Sequence, residues 1–218
     1  MDLPREFPGD RTAGKYAYSA AGLGLVGVVS LGLMFAIEVP RNGPYVFGTI
    51  NDFTGGLFNL AVIPVILQVH RRLPPTLWTQ VGKWTVVAAC IAGSVSSFML
   101  VFEQLDFATS TSITVTAIFI QGTWFLLAHR TLIKMSGYPR SLARLGALIG
   151  GGMLAALPLA AVAFAEGVPE WLRWTVGGAG MVAASLAWIA LPYWYFRAGR
   201  YLSHSRAQSK FTNAVQEA

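Results

Sequence analysis

A bundle of six transmembrane helices, arranged as antiparallel hairpins with both termini in the cytoplasm, is the fold this sequence predicts. Three observations predict it. Of 218 residues, 54% are hydrophobic and 12% charged, with a mean hydropathy of +0.53; soluble domains carry about 25% charged residues. Six apolar stretches, at 17–38, 46–69, 83–104, 107–128, 146–166 and 174–196, each approach the roughly 20 residues that cross about 30 Å of hydrocarbon. Finally, of the 16 basic residues all but Arg41 and Arg173 lie in the terminal segments, in the links after the second and fourth stretches or, for Lys83, at the end of such a link where the third stretch opens. The positive-inside rule then places those segments in the cytoplasm.

The elements follow in order. Segment 1–16 is a cytoplasmic tail with Arg5, Arg11 and Lys15. It also holds Asp2, Glu6 and Asp10, and the first stretch exceeds a signal-peptide core, so it reads as retained. The second stretch contains Pro64 and closes on His70-Arg71-Arg72-Leu73. Lys83 and Trp84 open the third, and Phe102-Glu103 close it. A link of two residues leads to the fourth, which ends at His129-Arg130. The fifth carries a GxxxG at Gly146 and Gly150, then Gly151, Gly152 and Pro158. The sixth adds Gly177, Gly178 and Gly180. Small residues of this kind let helices approach closely, so a tight hairpin of helices five and six is expected. Residues 17–201 thus form one transmembrane domain, and 202–218 a polar cytoplasmic tail with a frayed end. Helices cannot be barrel strands here, because the runs are twice strand length and do not alternate.

The odd stretches share an opening glycine and base and a closing phenylalanine and carboxylate: Phe35 to Glu38, Phe102-Glu103 and Phe164 to Glu166. Three copies of one hairpin would produce this pattern. Topology alone also demands bases inside and aromatic residues at the borders.

The composition excludes a soluble globule and a disordered chain, and lone Cys90 excludes a disulfide scaffold. A net charge of +6 would suggest nucleic acid in a soluble protein, but bases confined to links speak to the bilayer instead; no nucleic-acid partner is expected. Gly22-Leu23-Gly24-Leu25-Val26-Gly27 matches a dinucleotide fingerprint but lies inside a span, where the strand-to-helix turn is missing. His70, His129 and His204 sit at the cytoplasmic border without neighbouring carboxylates, so no metal site or cofactor is expected. The texture resembles that of small six-helix bacterial membrane proteins, which implies a bacterial cytoplasmic membrane.

Polar residues within the spans carry the functional argument, since ionisable groups in a bilayer are costly. Asp52 lies six residues into the second stretch, about 9 Å below the outer boundary. Asn59 follows seven residues later, with Gly55 and Gly56 between. Thr114 and Gln121 show the same spacing in the fourth stretch and fall at matching depths. Two polar rungs between helices two and four are expected: Asp52 with Thr114, and Asn59 with Gln121. A second group, Glu38, Glu103, Asp106 and Glu166, would form an outer acidic mouth that attracts cations. The alternatives are helix-to-helix hydrogen bonds for the first set and a solvated rim for the second.

These features support two readings. One is a small permease or channel-like protein for a cation, or for a proton-coupled or small polar solute. The other is a non-catalytic subunit or assembly factor that binds lipid or another membrane protein, or that forms a homo-oligomer. An enzyme using the carboxylates is less well supported, because no nucleophile or metal set accompanies them.

Overall fold

The computed structural model describes residues 7–164 and 167–216, with the side chains of 157, 160, 161, 163, 164 and 204–216 left out of the description. The described chain is all-helical: α1 (Asp10–Leu33), α2 (Val46–His70), α3 (Leu77–Val101), α4 (Phe107–Ile133), α5 (Arg140–Phe164) and α6 (Gly178–Gln216). α1 runs on through a π-helical turn at Met34–Glu38, and α6 is entered through Glu170–Leu172 and a π-helical turn at Arg173–Gly177. Among the described residues, five helical stretches are long and apolar enough to cross a membrane: Asp10–Arg41, Val46–His70, Leu77–Val101, Phe107–Ile133 and Glu170–Ser203. α5, of 25 residues, is the remaining helix.

Several helices overrun the apolar stretches at the end bearing the basic links. α1 begins at Asp10, α3 at Leu77 and α5 at Arg140, and α4 continues to Ile133. Hydropathy registers only the part of a helix that sits in hydrocarbon, whereas backbone hydrogen bonding continues into the aqueous border. Thr76 fixes the start of α3 with a capping box, its hydroxyl accepting from the Thr79 amide at 3.3 Å. α6 passes the expected boundary at 202 and reaches Gln216; nothing in 201–216 is a glycine or proline that would stop it.

Each helix packs mainly on its chain neighbours, and α6 returns to α1, so the six close into a ring. Side chains fill the middle. Phe58 of α2 meets Tyr195 of α6 edge to face at 5.4 Å, and Phe125 of α4 meets Trp194 at 4.9 Å and Tyr195 at 6.1 Å. The outer surface has the reverse polarity of a soluble bundle. Trp78 is 81% exposed and Leu148 72%, while Ser94 is 2% and Gln121 7% exposed. An apolar outside over a partly polar inside is stable only where the solvent is hydrocarbon.

Helices α5 and α6 pack closely, as expected, but α5 packs as closely on α4, and its glycines divide between the two seams. A Cβ at Gly146 would collide with the His129 ring, and one at Gly150 with the backbone of Leu126. Both therefore seat α5 on α4. Only Gly152 turns to α6, where a Cβ would stand 3.2 Å from Ala187. Positions 146 and 150 share one helical face, and 152 points about 200° away from it, so one run of glycines serves two seams.

Candidate functional site

Halfway along α2, the Asn59 side chain bends back and its Nδ2 donates to the Gly55 carbonyl at 3.0 Å. Its Oδ1 accepts from Gln121 Nε2 of α4 at 3.0 Å. Gly93 of α3 makes room for this bridge, since a Cβ there would lie 3.3 Å from Asn59 Nδ2. Gln121 is buried and Asn59 half-buried. One turn and more toward the other end, Asp52 is half-buried and accepts from the neighbouring Asn51 amide at 3.4 Å. Thr114 is half-buried too, and among the described residues no hydrogen bond or ion pair joins it to Asp52. The structure therefore brings Asn59 and Gln121 together but leaves Asp52 and Thr114 apart. The reason is reach on the α4 side: α2 and α4 are separated by α3 in the ring, and the long Gln121 side chain spans that gap to Asn59 where the short Thr114 does not reach Asp52. The hydroxyls nearby are engaged elsewhere, Ser110 with Ser96 of α3 at 3.0 Å and Thr116 with the Ser112 carbonyl at 2.8 Å.

At the acidic end, Glu38 is buried at 5% exposure. Its Oε1 accepts from the Phe47 amide at 2.8 Å and its Oε2 from the Gly48 amide at 3.2 Å. It thereby caps the start of α2, where a negative charge meets the positive end of the helix dipole. Asp106 is the N-cap of α4, accepting from the Thr109 amide at 2.9 Å. Hydrogen bonding by Thr109, side chain and backbone, holds its carboxyl below the usual carboxylate range. Glu103 is exposed with φ of 58°, and the bonds Glu103 N to Leu100 O and Gln104 N to Met99 O close α3 as a Schellman motif. Glu166 lies outside the described residues.

The basic end holds a cluster that sequence reasoning missed. Arg72 Nη2 reaches both Asp10 oxygens at 2.8 Å, and its Nη1 donates to the Gln68 carbonyl at 2.8 Å. Gln68 Nε2 donates to Asp10 Oδ1, completing a buried triad across α1, α2 and the following link. The guanidinium carbon lies 5.0 Å from the Phe7 ring and 5.4 Å from that of Tyr201. Tyr201 in turn donates to the Gly137 carbonyl at 3.0 Å. Four segments remote in sequence are thus tied at one end. The available signal was an acid in a tail of bases facing Gln68 and Arg72, which are four apart on one helical face; spacing alone does not reveal a pair 62 residues distant.

His129, four residues before the end of α4, is fully enclosed by its neighbours, at 0% exposure. Its ring stacks on Phe125 at 5.0 Å and meets Trp194 edge-on at 5.0 Å. Nδ1 stands 2.8 Å from the Phe125 carbonyl, which can only accept, so Nδ1 carries the proton. Among the described residues, no three His, Cys, Asp or Glu side chains are grouped to hold a metal. The chain matches no protein-family model, and no curated protein or solved structure is similar to it.

Proposed function

We propose that the chain is a small permease or channel-like protein of a bacterial cytoplasmic membrane, with six spans and both termini inside, that passes a cation, or a proton-coupled or small polar solute. One observation carries the reading: a half-buried carboxylate, Asp52, sits within a span beside the Asn51 amide, with no ion pair to it among the described residues, above the part-buried Asn59–Gln121 bridge. A carboxylate retained at that depth is costly unless it meets a proton or cation. Thr114 adds a hydroxyl at the level of Asp52, and the bridge is the step below. Glu103 and Asp106 supply negative potential at the outer mouth, with Glu38 anchoring the loop behind them. In this reading the rings of Phe125, His129, Trp194 and Tyr195 close the path toward the cytoplasm.

That same filling favours a second reading, a non-catalytic subunit, since Trp194 and Tyr195 are each 1% exposed and leave the basic half packed like a core. Flux into vesicles reconstituted with the purified chain separates the two. The permease reading expects cation-dependent uptake that Asp52→Asn abolishes; equal uptake by the variant rejects that mechanism. A particle from native membranes with other polypeptides at fixed ratio favours the subunit reading.

A further inference from the structure

The seam between α3 and α4 is the loosest in the ring. At the acidic end a short link and the Ser96–Ser110 bond hold the two helices together. Toward the basic end they diverge around an open groove of about 470 Å³, within the range of small-molecule sites. Trp78, Gly82 and Thr85 form one wall, Thr123 and Leu127 the other, and Trp124, only 7% exposed, lies at the floor. The groove is apolar in effect even where it is lined by threonines. The hydroxyls of Thr123 and Thr131 donate to their own helix at Phe119 and Leu127, and that of Thr79 to Pro74 and Thr76.

Its length and charge identify the occupant. From Phe119 to Thr131 the groove follows twelve residues of α4, about 18 Å, close to one leaflet of a hydrocarbon core about 30 Å thick. A partner helix would need a groove through both leaflets, yet toward the acidic end the seam narrows to a shallower recess of about 290 Å³. At the basic end Lys134, exposed and three residues beyond Thr131, continues the groove face of α4, whereas Lys83 is held by Gln80 at 2.6 Å and by the Trp84 ring at 4.6 Å. Neither helix, nor link 71–76 or 134–139, contains a carboxylate.

We propose that this groove binds one anionic phospholipid of the inner leaflet, an acyl chain lying on Trp124 and the phosphate facing Lys134. The proposal rests on membrane residence with the basic end inside, and not on the Asp52 path. The test is intact-mass measurement of the purified chain in detergent as phosphatidylglycerol or phosphatidylcholine is added. The expected result is one phosphatidylglycerol retained per chain in preference to phosphatidylcholine. Gly82→Leu fills the groove without a backbone clash, since a Cβ there is 3.9 Å from Trp124, and should abolish retention; Thr123→Trp should do the same from the facing wall. Lys134→Glu should cut the preference for the anionic lipid about fivefold or more, while Leu186→Trp, on an open face of α6, changes nothing. Retention by both groove variants equal to that of the parent, or equal retention of the two lipids, overturns the proposal. So does cross-linking of Thr123→Cys to another polypeptide, which would assign the groove to a protein. Loss of flux assignment for Asp52 would leave the lipid result untouched.

Discussion

The two ends of the bundle solve the problem of polar groups in opposite ways. At the basic end, Asp10, Gln68 and Arg72 satisfy one another across distant segments, so burial there depends on tertiary closure. At the acidic end Glu38 and Asp106 are used locally, Glu38 on the start of the helix that follows, nine and ten residues on, and Asp106 on its own first turn. Between them, the mid-bundle pair Asn59–Gln121 crosses the ring with neutral groups only. Long-range charge pairing therefore locks one end, local capping shapes the other, and the exposed-versus-buried contrast leaves Asp52 as the charge within a span that neither device neutralises.

The largest expected effect breaks the lock. Arg72→Met strands the buried Asp10 carboxylate and should cost about 3–5 kcal/mol, whereas adding Asp10→Leu to it should recover most of the loss. Thermal unfolding in detergent of the two variants checks this; equal destabilisation by single and double variants would mean the pair does not act as a unit. Removing the local cap is the next test. Glu38→Ala leaves the Phe47 and Gly48 amides without their acceptor and should cost about 1–3 kcal/mol, with Glu38→Gln milder. A smaller effect is expected in the middle, where Gln121→Leu removes one membrane hydrogen bond, worth about 0.6 kcal/mol on average. That variant should change flux more than stability if the bridge lines a path, and the reverse outcome makes it a packing contact. The smallest effect belongs to exposed Asp106. Because hydrogen bonding depresses its pKa, its cap is fully present above the ordinary carboxylate pKa and fades as pH falls through the depressed one. Following the Asp106 carboxyl and the Thr109 amide by NMR should show both moving together; independent titrations would uncouple them.

Much of the architecture is legible in the sequence. Six apolar runs and their flanking bases point to the helices, because backbone in hydrocarbon must satisfy itself within each helix. The helix ends at Asp10, Leu77 and Gln216 are not, since hydropathy stops at the border where hydrogen bonding continues. Likewise the spacing of Asn59 and Gln121 put two amides at one depth, but equal depth did not bring Asp52 to Thr114. Residues Gly146 and Gly150 announced a close approach without naming α4 as the partner, because a small face fits either neighbour.

What the sequence determined by itself, then, is the number, apolar character and order of the helices, all of which follow from transfer of single segments into hydrocarbon. Tertiary structure alone decided which residues share a neighbour: Arg72 with Asp10, His129 inside its ring of aromatics, Glu38 on the amides of α2, and a groove where α3 and α4 part. Those outcomes depend on how the ring closes and on side-chain reach across it, and neither is encoded in local spacing.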